Sequence, residues 1–388
     1  MNVLRLGFEN FRNLCPGEIF PGETINVIHG SNAQGKTNLL EAIWLFTGGH
    51  SFRGTKDSEL PVLKDGKNAP AASLSMTLFT EGREQELRLE LRDGRRSSVI
   101  NGVEKKTGSA LVGKFCAVIF SPEHLLLVKE GPSRRRAFLD GALCQSRPAF
   151  TRVLAHYNKA LMQRNALLKD IPRHPELIDT LDVWDERLIL FGTEVVQERA
   201  AFCKDLEPRA AEVYRGIAKN REEITLSYAP FGSAETKTEI TERFSEALKN
   251  ARNADARAGF TSVGPHRDDL TLTIDGLSAR TFGSQGQQRS IVLALKLAEA
   301  DILYRKTGER PVILLDDVMS ELDMSRRDYL LNHLDGRQVF ITCCDPETVR
   351  LMETGRGFYV EKGTVRQDTD EKAGEVHAEN ETPTCESE

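Results

Sequence analysis

Ile25-Asn26-Val27-Ile28-His29 runs straight into Gly30-Ser31-Asn32-Ala33-Gln34-Gly35-Lys36-Thr37, and this stretch decides the fold. The apolar run reads as a strand. It delivers the chain to a loop whose glycines permit a wrapped backbone, with consecutive N–H groups aimed at one point. A helix is expected from Thr37 to Phe46, beginning near Lys36, and its positive end faces the same point. Such a cradle suits the phosphates of a nucleotide. Gly30, Ser31, Asn32, Ala33, Gln34, Gly35, Lys36, Thr37 and Asn38 are therefore the candidate nucleotide-binding residues. Lys36 adds a point charge at the β- and γ-phosphates and counts as catalytic, and the Thr37 hydroxyl can ligate Mg²⁺.

Far downstream, Val312-Ile313-Leu314-Leu315 is a four-residue apolar run ending in Asp316-Asp317. A strand buried on both faces reads this way. An acid at its end, beside a phosphate-binding loop, can hold Mg²⁺, a role assigned to Asp316. Asp317 points differently and is the candidate catalytic acid that orients the attacking water. In small GTPases and kinases the equivalent acid falls much closer to the loop. The wide separation matches ABC/SMC-type ATPases, in which a module is inserted between the halves of one head. Phe282-Gly283-Ser284-Gln285-Gly286-Gln287-Gln288 then precedes a helical stretch from Arg289 to Arg305. It sets Ser284, Gln285, Gly286 and Gln287 at a helix N-terminus, a second anion-binding surface. In this class such a signature contacts, in trans, the ATP of a second protomer. An ordinary capped helix is the alternative.

The fold class expected is α/β: mixed sheets with flanking helices forming a P-loop ATPase head, carrying an inserted helical arm. Residues 1–130 form the N-terminal part of the head, with strands at Val3–Phe8 and Thr24–His29 and a β meander from Ser73 to Val103. Leu74, Met76, Leu78, Leu87, Leu89 and Leu91 alternate there, with glycines 82, 94 and 102 at the turns. Arg88, Glu90 and Arg92 fall on the polar face of one strand. Residues 131–258 form the arm. Phe150, Val153, Leu154, Tyr157, Leu161 and Leu168 recur at helical spacing, as do Leu181, Trp184, Leu188, Val195, Phe202 and Leu206. Two prolines at 172 and 175 separate them into two helices, read as antiparallel. Residues 259–366 return to the head, with Leu270–Ile274 and an Asp275-Gly276 turn, and residues 367–388 form a disordered acidic tail.

Composition agrees with a cytoplasmic globular protein. No apolar run approaches the roughly 20 residues of a membrane span, and the N-terminus lacks a secretion pattern. The seven cysteines form no C-x-x-C pair and no zinc spacing, so free thiols are expected. The net charge of −6 argues against a nucleic-acid partner until the tail is set aside. From Gln367 to Glu388 eight acids and one lysine sum to −7, which leaves about +1 on the remainder. A near-neutral body can still present a local basic surface to DNA.

With these residues assembled, the sequence resembles the RecF family of bacterial recombinational-repair ATPases over nearly its whole length. Phe8-Glu9-Asn10-Phe11-Arg12-Asn13 is similar to its opening motif. Ser121-Pro122-Glu123 and Gly131-Pro132-Ser133-Arg134-Arg135-Arg136-Ala137-Phe138-Leu139-Asp140 are similar to its central segments. Gly264-Pro265-His266-Arg267-Asp268-Asp269-Leu270 and Leu315–Asp323 complete the match. The resemblance implies ATP-driven homodimerisation, weak DNA-stimulated hydrolysis, and binding to duplex, gapped or junction DNA. It further implies a RecR-type partner and help in loading RecA. Arg12 and Asn13 would sit by the base or ribose. Two features depart from transport ATPases of the class. The second acid is Asp317, not glutamate, and no histidine ends the next strand, Val339-Phe340-Ile341-Thr342-Cys343. Both suit slow turnover. Glu123 is the candidate for the transporters' Q-loop residue.

Several groups carry two readings. Arg134, Arg135 and Arg136 either meet DNA phosphates or begin a helix with internal ion pairs. His266 and Arg267 either pair with the acids that follow or couple to DNA. Phe150, Tyr157, Trp184 and Phe202 read as core rather than base-stacking platforms. A transporter's ATPase subunit, a non-catalytic nucleotide-dependent module and a small-molecule kinase are the rival functions.

Overall fold

The computed structural model describes residues 1–64, 67–69, 71–228, 230, 236–344 and 355–368. The acidic stretch after Asp368, with Cys385, lies outside the described residues. Gln367, read as the first residue of that tail, instead ends the strand Thr364–Gln367.

The chain packs as two compact units. Met1–Glu123 and the described residues from Leu303 onward form the first, and His124–Ile302 form the second. These limits differ from those read in the sequence. Residues 259–302, assigned there to the head, pack with the arm. The reason is pairing: Thr271–Ile274 adds antiparallel to Ile224–Ser227, and Arg135 holds Asp269.

The first unit has two six-stranded sheets. One is antiparallel, in the order Gly17–Ile19, Asn2–Glu9, Ala71–Thr80, Arg83–Arg92, Arg95–Ile100, Val103–Lys105. Leu74, Met76, Leu78, Leu87, Leu89 and Leu91 are buried on one face, while Arg88, Glu90 and Arg92 are exposed on the other. They form a solvated face, as an antiparallel sheet with one wet side requires. Asp93-Gly94 and Asn101-Gly102 carry positive φ at both positions, the tight turn that matches strand twist.

The second sheet runs Ala117–Phe120, Val312–Asp316, Val339–Cys343, Ile25–His29, Arg356–Glu361, Thr364–Gln367. Its first five strands are parallel. Val312–Asp316 and Val339–Cys343 are buried at every position, which explains their unbroken apolar runs. Ile28, Leu39, Leu40, Ile43 and Phe46 join Leu314, Phe340 and Phe358 in one core, fixing the helix that follows the P-loop against the sheet. Ligands in such sheets gather at the carboxyl ends of the strands.

The second unit is built on helices Pro132–Ser146, Pro148–Asp170, Leu181–Ile217 and Lys237–Ala258. His156 stacks on Phe191 and Arg164 bonds Asp185, so the second and third run in opposite senses. Phe150, Tyr157 and Phe202 are buried and Trp184 is half-buried, a packing role for all four. Lys237–Ala258 opens on a reciprocal cap between Thr236 and Glu239. Among the described residues no helix is long and apolar enough to cross a membrane.

Candidate nucleotide site

The loop after Ile25–His29 is wrapped as its glycines demand. Gly30 and Gly35 have φ of 138° and 120°, and a Cβ on either would collide, with the Val360 carbonyl or the Asn13 side chain. The helix Lys36–Trp44 starts directly after Gly35. No side chain caps it and no acid occupies its first turn, so its N-terminal N–H groups and dipole are left for an anion. Lys36 is buried, and its Nζ donates to the carbonyls of Gly30 and Ser31 at 2.7 and 2.8 Å. Gln34 ties the loop to the turn between the last two strands. Its Oε1 accepts from Lys362 N at 2.6 Å and its carbonyl from Gly363 N at 3.0 Å.

The parallel register brings the acids to this loop. Thr37 Oγ1 donates to Asp316 Oδ1 at 2.8 Å. Asp316 is buried, which pushes its carboxyl above the usual range; the Thr37 and Thr342 hydroxyls pull it back down. Asp317 is exposed and holds the left-handed conformation, φ 51°. The Ser320 hydroxyl lies 2.8 Å from its carbonyl oxygen and 3.0 Å from its carboxylate Oδ1. Hydroxyl and carboxylate oxygens are the donors a hard cation takes. Mg²⁺ in nucleotide sites draws its remaining ligands from phosphates and water, so the residues present fit it. Among the described residues no group of three or more His, Cys, Asp or Glu could hold a metal unaided.

Asn13 and Asn38 lie against the loop: Asn38 Nδ2 donates to Asn13 Oδ1 at 2.7 Å, and Asn13 Nδ2 to the Ala33 carbonyl at 3.4 Å. Arg12 pairs with an acid of the P-loop helix. Its guanidinium grips the fully buried Glu41 through two bonds of 2.8 and 2.9 Å and reaches Thr55 at 2.8 Å. A carboxylate without water needs that cation.

Three residues at the site escaped the sequence reading. Arg53 Nη1 donates to Asn38 Oδ1 at 2.9 Å, and its charge acts to lower the Asp316 pKa. Thr342 Oγ1 lies 2.9 Å from Asp316 Oδ1. Cys344 Sγ lies 2.8 Å from Asn32 Oδ1 and 3.5 Å from Lys36 Nζ. The available signal was position: the Val339–Cys343 strand pairs with both the P-loop strand and the acid strand. Glu123 follows Ala117–Phe120, the strand beside Val312–Asp316, at its carboxyl end.

Ser284, Gln285, Gly286 and Gln287 belong to the second unit. Ser284 N donates to Gln287 Oε1 at 2.7 Å and Gln287 N to Ser284 Oγ at 3.3 Å, a reciprocal cap on the helix Gln285–Thr307. Gln287 Nε2 also reaches Glu222 at 2.9 Å. Beside them Phe282 is 68% exposed.

The three arginines each find a partner within the chain, though only Arg135 is buried and Arg134 is exposed. Arg135 is buried and makes paired bonds of 2.6 and 2.8 Å to Asp269, Arg136 donates to the Asp268 carbonyl, and Arg134 pairs with Glu130. Among the described residues His266 makes no ion pair with an acid. Its Nδ1 lies 2.7 Å from Tyr157 Oη and its Nε2 3.0 Å from the Thr261 carbonyl, and burial lowers its pKa.

The chain is similar to known proteins over nearly its whole length. Residues 2–367 match the family model described as the RecF/RecN/SMC N terminal domain. The DNA replication and repair protein RecF of Acetivibrio thermocellus is 39% identical over 366 residues, covering 93% of this chain and 98% of that one. RecF of Shouchella clausii is 37% identical over 374 residues, covering 95% and 100%. A solved structure of the recombination mediator protein RecF with ATP, in the RecFOR pathway, superposes with a TM-score of 0.87 at 34% identity over 95% of this chain and 97% of that chain. An Smc head domain from Pyrococcus furiosus, with a TM-score of 0.54 at 16% identity over 96% and 97%, shares the fold. The chain therefore has the α/β head of the SMC class and belongs to the RecF family of DNA replication and repair proteins.

Proposed function

We propose that this protein is a cytoplasmic, ATP-dependent DNA-binding protein of recombinational repair and replication restart, whose slow ATP hydrolysis releases it from DNA. The observation that carries this reading is the meeting of Thr37, Asp316 and the uncapped P-loop helix at one strand edge. The P-loop N–H groups and Lys36 would bind the phosphates, and Asn13 and Asn38 would hold the loop. Thr37 and Asp316 would hold Mg²⁺, which neutralises phosphate charge when bound. Asp317 would orient the attacking water and accept its proton. The exposed Ser284, Gln285 and Phe282 support a second protomer docking by this surface onto the nucleotide of the first, so that ATP joins two chains on duplex or gapped DNA. The RecFOR relative supports RecR-type partners; assistance in loading RecA rests on the resemblance of the motifs alone.

The test is fluorescence anisotropy of labelled gapped duplex, titrated with protein and Mg²⁺ plus ATP, ADP or no nucleotide at fixed salt. Tight binding with ATP alone, accompanied by a dimer in light scattering, is the expected result. Binding indifferent to nucleotide breaks the link between the two sites.

The exposed Cys344 thiol beside Lys36 offers a chemical check. Alkylation with a maleimide should block nucleotide binding by about tenfold or more, since the adduct would crowd Lys36. Prior ATP should slow the reaction, and Cys344→Ser should bind ATP normally and resist the inhibition. Equal sensitivity in Cys344→Ser would move the effect to another cysteine.

A further inference from the structure

We infer that Thr342 is a positioning residue that sets both acids of the ATP site through a single hydroxyl, an inference that rests on the site proposed above. Thr342 is 1% exposed and stands in parallel register with Asp316. Its Oγ1 accepts from the Asp317 N–H at 2.9 Å and lies 2.9 Å from Asp316 Oδ1, to which it donates; the Leu315 carbonyl is farther away, at 3.5 Å. A hydroxyl has one donor and two acceptor positions, so it can do both at once.

The consequences differ for the two acids. Asp316 Oδ1 receives Thr37 on one side and Thr342 on the other. Two donors on one oxygen stop the carboxylate from rotating and leave Oδ2 for a cation. Asp317 sits at φ 51°, a left-handed conformation that aspartate tolerates better than most L residues but that still benefits from a restraint. The bond from its N–H to Thr342 is such a restraint, and it aims the Asp317 side chain out of the strand. The strand end where the class's transporters carry a histidine thus supplies a hydroxyl that holds the two acids.

Thr342→Val keeps shape and strand preference while deleting the hydroxyl; Thr342→Ser keeps the hydroxyl. Equilibrium titration with a fluorescent ATP analogue, with Mg²⁺ and with EDTA, reads the cation-dependent part of affinity. Steady-state phosphate release reads turnover, and a melting curve reads folding. In Thr342→Val the gain in affinity from Mg²⁺ should fall about tenfold, the size expected for one bond to a charged group. Affinity in EDTA should stay within about twofold, kcat should drop further than KM rises, and Thr342→Ser should restore both. If Thr342→Val loses its melting transition, Thr342→Ala is judged by the same criteria. Unchanged Mg²⁺ dependence, or an equal loss with and without Mg²⁺, overturns the inference alone. A parent chain that binds the analogue no better with Mg²⁺ overturns the ATP site and this inference together.

Discussion

Asp317→Asn is expected to lower ATP turnover by about 10²- to 10³-fold while leaving ATP-dependent DNA binding intact. Asparagine tolerates the left-handed conformation that residue 317 adopts at φ 51°, so the backbone is not disturbed. Its side-chain oxygen can still accept from Ser320, as Oδ1 does at 3.0 Å. Asp316, Thr37 and Lys36 are untouched, so nucleotide affinity should change by no more than about threefold. What is lost is the carboxylate's ability to take a proton from water. A chain that binds ATP without splitting it should also stay on DNA longer. Phosphate release and a competitor chase of labelled DNA measure both effects. A fall in turnover of less than about threefold would remove Asp317 from the chemistry, since proton transfer by a placed side chain is worth far more.

The second large effect concerns the helical unit. Arg164 has no exposed surface and donates to Asp185 at 2.6 Å, to Asp255 at 2.7 Å and to Thr261 at 2.9 Å. Asp255, equally buried, also accepts from Ser262 N at 3.0 Å and Ser262 Oγ at 2.6 Å. One arginine, through two ion pairs, therefore pins three helices and the segment after Lys237–Ala258. Asp255→Ala should cost about 3–5 kcal/mol, because it leaves a guanidinium short of a partner where no water reaches. The melting temperature should fall on the order of 10 °C. Arg252, which bridges Asp182 and Asp185 nearer the surface, is the contrast. Arg252→Ala should cost about 1 kcal/mol or less, since Asp182 is 70% exposed and solvent screens the pair. Calorimetry on the three proteins decides. Similar losses in both variants would mean that burial does not set the strength of these pairs.

Much of the site was legible because its signals are contiguous. The P-loop works through consecutive backbone N–H groups, so one stretch of eight residues carries the whole device. The acid strand announces itself by an unbroken apolar run with two aspartates at its end, and the meander by alternating leucines between turn dipeptides. Arm helices followed from their apolar spacing and from the prolines that part them. Each of these depends on neighbours within a few residues, where period and turn chemistry are written directly.

Which distant groups meet depends on packing that no local pattern records. Arg135 faces Asp269 rather than solvent, Arg12 is held by Glu41, and residues 259–302 pack with the arm because their strand finds its partner at Ile224–Ser227. Thr342 is an ordinary strand threonine until parallel register sets it level with Asp316. Local pattern determines that a strand exists and which faces are buried. Register between strands is set by the packing of the whole core rather than by sequence neighbours, and the parallel register of Val339–Cys343 on Val312–Asp316 is what places one hydroxyl between two acids.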